Sequence, residues 1–349
     1  MEYVALRKEV MDAGLLKRQY GYYAWKFAST SCLLAISIYI LATVDNFALQ
    51  LLNAPFLAFI FVQFGLIMHD AGHQEIFNSK SKNDFAAMIA GNLVTGLSSS
   101  SWGAGHNKHH SSPNHVEEDK DIQTPFLAFH EGDALKKKGV TRFITKYQAF
   151  FWFPLMTLAA FSVRFNHQMK TIRDFRNNLK TGSALYYTLE IISLMISNVA
   201  YFGILFYFLG LWKGFTFFVV HYVLTGLYMG TIFATNHKGM PLLYGKEKPD
   251  FISMQVLTTR NVKGSFLVDL WTGGLNYQIE HHLFPTMPRN NLSKAKKIVE
   301  PFCRKIGIEY YETGFFQSYK EILQNFHRVS AVLRKTKTVA QSVMARNPT

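Results

Sequence analysis

Residues 106–110 read HNKHH, three imidazoles (His106, His109 and His110) within five residues. HDAGH, with His69 and His73, precedes this group, and QIEHH, with Gln278, His281 and His282, follows it. His237 stands between them in TNHKG. On a helix, residues three or four apart share a face, with Cβ atoms about 5–6 Å apart. Each motif is therefore a short clip that presents two or three neutral donors in one direction. Imidazole binds iron, copper, zinc and nickel. A zinc site uses three or four protein ligands, so eight histidines and Gln278 exceed one site. Two metal ions with four or five ligands each account for the number. Cys32 and Cys303 are the only cysteines, which excludes iron–sulfur clusters and implies no disulfide framework. Gln278 is a candidate metal ligand. Asp70, Glu280, Asp269, Asp119 and Asp121 are candidates to accept the second ring N–H of the imidazoles.

These clips need elements to carry them. The chain has 349 residues, of which 49% are hydrophobic and only 17% charged, below the usual quarter for soluble proteins. Crossing about 30 Å of hydrocarbon takes roughly 20 helical residues. Four stretches qualify: 25–44, 47–68, 184–210 and 212–235. The short connections within each pair predict two helical hairpins. The expected fold is an all-α integral membrane protein with four transmembrane helices and a cytoplasmic helical cap that carries a histidine-rich di-metal site. Residues 1–24 lack the apolar core of a signal peptide and predict an amphipathic segment at the interface. Residues 25–333 form the membrane domain, and 334–349 a basic, flexible tail. The apolar stretches 85–102 and 147–163 predict buried or interfacial helices. An extra crossing at 147–163 would put QIEHH on the opposite face from HDAGH and HNKHH.

Lys and Arg gather before the first span, in the middle region and after Asn236, while Lys213 is the only one in the hairpin turns. The positive-inside rule then places both termini and the metal site on the cytoplasmic side. The net charge of +14 is a one-sided field suited to anionic lipid heads and to an acidic partner protein. No nucleic-acid reading module is visible. A metal transporter would place its ligands near the bilayer midplane, not at the span ends. Glu190 and His221 lie inside spans, where ionisable groups are functional candidates. His221 is about 24 Å from His237 along one helix, too far to join the cluster, and the role of Glu190 is open. His115, His130, His167 and His327 are isolated and read as satisfied or solvated residues. Arg289, Lys294 and Lys297 are candidates for contact with a head group.

In order and spacing, HDAGH, HNKHH and NYQIEHHLFPTMPR (276–289) resemble the membrane fatty-acid desaturase family over roughly residues 45–310. The resemblance implies a non-haem centre of two iron ions that uses O2 and two electrons to introduce a cis double bond into an acyl chain. By motif position His69, His73, His106, His109, His110, His281 and His282 would be iron ligands, and His237 resembles an additional one. Gln278, where many members carry His, is similar to the front-end subgroup and to sphingolipid desaturases. Many front-end members carry a fused b-type cytochrome with a His-Pro-Gly-Gly motif. The sequence contains none and its first 24 residues are too few for one, so a separate donor is expected: ferredoxin, or a b-type cytochrome with its reductase. The substrate would be a fatty-acyl chain on CoA or a lipid, in an apolar tunnel for which Trp102 and Trp271 are candidate linings. A bacterial inner membrane or the endoplasmic reticulum is the expected location. A hydroxylase, epoxygenase or ketolase would use the same centre to insert oxygen. A zinc-dependent membrane receptor or hydrolase would need fewer histidines.

Overall fold

The computed structural model describes residues 2–178, 184–245 and 249–335. After a short first helix, α1 (Glu2–Asp12), come two long apolar helices, α2 (Tyr20–Thr43) and α3 (Phe47–Gly72). Asn46 starts α3 by accepting the backbone N–H groups of Ala48 and Leu49 at 2.9 and 3.3 Å, two of the donors a helix start leaves without partners. The polar residues of this pair turn towards each other. Asn53 Nδ2 donates to Ser37 O at 3.0 Å, Ser37 Oγ donates to Asn53 Oδ1 at 2.9 Å, and Gln50 Nε2 donates to Ile40 O at 2.9 Å. Bonds of this kind between apolar helices contribute about 0.6–2 kcal/mol each.

The next segment is α4 (Lys80–Ala87), which runs on as a π-helical stretch, Met88–Thr95, and then α5 (Ser99–Ser111). The stretch 85–102 is therefore three short pieces. Short helices α6 (Glu131–Lys136) and α7 (Gly139–Lys146) lead to α8 (Gln148–Thr157) and α9 (Ala159–Asn177). Pro154 removes a backbone donor inside α8, and the helix ends three residues later. The stretch 147–163 is thus divided between two helices.

The third long apolar element, α10 (Ala184–Phe233), bends back on itself at Gly210 (φ 71°, ψ 176°). That conformation is essentially confined to glycine. The arms on either side, 184–209 and 211–233, pack together: Tyr201 OH lies 2.7 Å from His221 Nδ1, and the rings of Phe202 and Phe218 are 5.1 Å apart. His221 therefore faces a neighbouring helix. Among the described residues, three helices, α2, α3 and α10, are long and apolar enough to cross a membrane. Trp25, Tyr39, Leu185, Val199, Tyr207 and Trp212 are exposed on α2 and α10. Such a surface is unfavourable in water and suited to lipid. The chain is a membrane protein.

The remaining described residues form a helical cap: α11 (Phe251–Leu257), β1 (Asn261–Val262), α12 (Phe266–Thr272), α13 (Gln278–Leu283), α14 (Leu292–Lys305), β2 (Glu312–Thr313) and α15 (Phe315–Val329). β1 and β2 pair in parallel, Asn261 with Glu312 and Val262 with Thr313. Leu292, Ala295, Val299 and Phe302 make a stripe along α14 that packs with Ile279 and Leu283 of α13. Leu6 and Val10 of α1 cover the same core. The apolar side of the amino-terminal segment thus rests on protein. Cys32 and Cys303 are both free. The tail 334–349 lies outside the described residues beyond Lys335.

Gly210→Ala forces a side chain into a backbone region that costs about 1–3 kcal/mol. A lower melting temperature of the detergent-solubilised protein is the expected outcome. An unchanged melting temperature would show that the reversal does not depend on glycine.

Candidate metal centre

Four parts of the chain deliver the imidazoles. The last turn of α3 carries His69, and His73 is its C-terminal cap. α5 carries His106, His109 and His110, α13 carries Gln278, His281 and His282, and His237 follows the end of α10. Ring nitrogens of His69, His73, His106 and His281 lie within 4.8 Å of one another, and His109, His237 and His282 form a second such group. His110 stands between the two. Its Nε2 is 3.1 Å from that of His106 and 3.2 Å from that of His281, and its ring stacks on His282 with centroids 4.1 Å apart. The side-chain amide of Gln278 lies 3.0 Å from His237 Nε2. All eight histidines named from the sequence, and Gln278, meet in one place.

Burial first, then the charges of neighbouring groups, pushes the pKa of His106, His110, His237, His281 and His282 below the ordinary imidazole range. Burial likewise pushes His73 down to about 3. The rings are therefore neutral near pH 7, the form that binds metal. Nε2 of His73 and Nε2 of His282 are buried without a hydrogen-bond partner, and such atoms are rare in native proteins. Nε2 atoms of His109 and His237 face each other at 3.3 Å. Orphaned, converging, neutral nitrogens fit a pair of transition-metal cations.

The outer ring nitrogens are held from behind. Asp70 Oδ1 is 3.1 Å from His69 Nδ1, and Asp70 Oδ2 pairs with Arg289 Nε at 3.0 Å. Asp119 Oδ2 is 2.8 Å from His109 Nδ1, with Asp121 Oδ2 farther off at 3.7 Å. Gln255 Oε1 is 2.8 Å from His282 Nδ1, and Asn236 Nδ2 donates to Gln278 Oε1 at 2.9 Å. A proton held on Nδ1 leaves the Nε2 lone pair facing the cluster. Burial pushes the Asp119 carboxyl up, but His109 and Lys238 outweigh it and hold it below the usual carboxylate range. Arg289 is buried and paired with Asp70, so it cannot reach a head group.

Glu280 and Asp269 do not serve the rings. Glu280 is fully buried and accepts from Asn261 Nδ2 and Tyr310 OH, each at 2.7 Å. Burial raises its pKa to about 7. Consecutive positions on α13 point in different directions, so Glu280 ties the helix to β1 and to Tyr310 while its neighbours His281 and His282 face the cluster. Asp269 accepts from Asn276 Nδ2 at 3.0 Å and braces the loop before α13. Gln255 and Asn236 carried no signal in the sequence, because an isolated amide has no spacing pattern.

Trp102 stacks on His106 with centroids 4.4 Å apart. A Cβ at Gly72 would come within 2.3 Å of its ring, so the glycine of HDAGH makes room for it. Trp102 and His69 border an apolar cavity that Phe61, Leu97, Tyr222 and Thr225 also line. Trp271 lies elsewhere: it packs on Tyr228 at 4.0 Å and donates to Thr231 Oγ1 at 3.1 Å. His167, which the sequence marks as an isolated histidine, lines the cavity instead.

The family model "Fatty acid desaturase" matches residues 46–314. An acyl-lipid (9-3)-desaturase of Physcomitrium patens is 32% identical over 328 residues, covering 90% of this chain and 60% of the moss protein. A Delta(6)-fatty-acid desaturase of Caenorhabditis elegans is 28% identical, covering 93% of this chain and 74% of its own length. A Delta(5) fatty acid desaturase of the same organism is 29% identical, covering 96% and 75%.

The buried imidazoles predict a pH effect on the protein stripped by a chelator. Unfolded histidines titrate near about 6.5, and the folded ones lie below that. As pH falls through about 6.5, the unfolded chain takes up protons that the folded chain refuses, so stability drops. The melting temperature of the metal-free protein is expected to fall from pH 7 to pH 5, and added Fe(II) at pH 7 to raise it. A flat profile would show that the rings are not held neutral.

Proposed function

The chain belongs to the fatty acid desaturase family, and from that and the histidine cluster we infer a front-end fatty-acyl desaturase with a centre of two iron ions. The observation that carries the reading is the pair of converging, largely buried imidazole groups at the edge of an apolar cavity. His69, His73, His106 and His281 would hold one ion, and His109, His237 and His282 the other. His110 stands between, and Gln278 lies beside His237. Bound iron supplies the activation of O2 with two external electrons.

The protein's own residues do the rest. An acyl chain is floppy, and small misplacement of the reacting carbons is costly in rate. The cavity walls hold the chain, with His69 and Trp102 at the metal end. Phe61 is eight residues before His69, about 12 Å along the axis of α3, and borders the part that receives the chain beyond the reacting carbons. Apolar lining also keeps water from the reacting methylenes. Asp70 and Asp119 hold their imidazoles in one tautomer. The names of the relatives, Delta(5), Delta(6) and (9-3), support a double bond towards the carboxyl end.

α2, α3 and the two arms of α10 would make four crossings, an even number that leaves all four histidine-bearing segments on one face. The distribution of Lys and Arg supports the cytoplasmic side for that face. Electrons would arrive from a ferredoxin or cytochrome docked on the basic cap, where charge complementarity speeds encounter. The acyl group would be carried by CoA or by a membrane lipid.

Expression in a host of defined lipid composition, followed by mass spectrometry, tests the reading. The expected product has lost two hydrogens and carries a new double bond near the carboxyl end. A product that has gained oxygen would make the chain a hydroxylase or epoxygenase. His110→Ala and Gln278→Ala are each expected to abolish the product. Thr225→Trp narrows the cavity and is expected to shift preference towards shorter chains in a mixed-substrate assay. An unchanged chain-length profile would remove this cavity as the acyl site.

A further inference from the structure

We propose that Glu190 is a positioning residue for the metal centre, fixing the start of α5 and with it the stance of His106, His109 and His110. The functional consequence rests on the reading of the cluster as a metal centre.

Glu190 sits in the first arm of α10 and is fully buried. A buried carboxylate is unfavourable unless hydrogen bonds compensate it. The donors here all come from one place. Its Oε1 accepts from Asn92 Nδ2 at 2.9 Å, Ser100 N at 3.0 Å, Ser98 Oγ at 3.1 Å and Ser99 Oγ at 3.3 Å. Its Oε2 accepts from Ser100 Oγ at 2.5 Å. Ser98 is the N-terminal cap of α5, Ser99 and Ser100 are its first residues, and Asn92 belongs to the π-helical stretch before it.

The surrounding bonds complete the anchor. Ser98 Oγ accepts from Ser101 N at 3.1 Å, and Asn92 Oδ1 accepts from Ser99 N at 3.0 Å. Thr171 of α9 donates to Ser98 Oγ at 2.6 Å. The first backbone donors of α5 are thus shared among a cap serine, an asparagine and the carboxylate. A negative charge at this end of a helix is also favoured by the helix dipole.

α5 needs such an anchor. Its sequence, SSSWGAGHNKHHS, is rich in Ser and Gly, both poor helix formers. It also feeds both imidazole groups, His106 in one and His109 in the other, with His110 between. From Ser100 the helix rises about 9 Å to His106 and about 15 Å to His110. A small tilt at the anchor therefore shifts rings in both groups at once. Glu190 touches none of the eight imidazoles among its hydrogen-bond partners, so it acts through the helix.

The test compares purified full-length wild type with Glu190→Gln, which keeps the shape and loses the charge, and Glu190→Leu, which loses both. Hydrogen exchange of the α5 peptide is read against peptides of α3 and α14. The visible spectrum and affinity of the Co(II)-loaded protein are read in parallel. In Glu190→Gln, exchange in α5 is expected to rise about tenfold, the loss of one charge-assisted bond. Exchange in α3 and α14 stays as in wild type. The Co(II) spectrum should change and affinity should fall about tenfold, with a larger effect in Glu190→Leu. Unchanged α5 exchange and an unchanged Co(II) spectrum in Glu190→Gln would overturn the proposal, as would an equal rise in every peptide. If Glu190→Leu fails to fold, Glu190→Gln decides. Faster α5 exchange in a protein that binds no Co(II) even as wild type would uphold the anchor and bring down the metal reading.

Discussion

Eight imidazoles, six buried and His106 and His110 half-buried, turn ring nitrogens towards each other, and the remaining architecture answers to that arrangement. Ring nitrogens 3.1–3.3 Å apart tolerate this only while the rings carry no positive charge. Burial favours that for His106, His110 and His282, pushing those rings below their usual pKa. The unpartnered Nε2 atoms of His73 and His282 leave the cluster short of partners that a cation supplies. The same burial that disfavours the empty cluster is consistent with a di-metal site.

Holding the rings still falls to bonds behind them. Asp70 links His69 to Arg289, so the end of α3 is tied to the segment that follows the third histidine motif. Asp119 fixes His109, and Gln255 fixes His282. Glu280 secures α13 from the side away from the cluster. Asp70 and Glu280 each sit next to a histidine in sequence, yet they divide into two kinds of work according to which way the helix turns them.

The apolar helices contribute in a different way. Lipid-suited faces on α2 and α10 leave inner faces that pack on α3 and, for α10, on α8 and α9, and a cavity between α3, α9 and α10 reaches His69 and Trp102. The membrane helices and the cap share the site: α3 and the end of α10 bring His69, His73 and His237, and α13 in the cap brings His281 and His282. Neither part holds a complete set of ring nitrogens.

Much of this was legible in the chain itself. Spacings of three and four in HDAGH, HNKHH and QIEHH define shared helical faces, and runs of about 20 apolar residues define long helices, because both are local periodic properties. The gathering of all eight histidines followed from the same logic, with two apolar stretches, 184–210 and 212–235, expected between them. The pairing of those histidines into groups did not, because it depends on how four distant segments meet. Nor did the work of Glu280, Asp269, Gln255 and Trp271, which is set by side-chain direction in three dimensions. Glu190 shows the difference most clearly: the sequence presents a lone acid in an apolar helix, and only the packing of α10 against the start of α5 gives it five donors to hold.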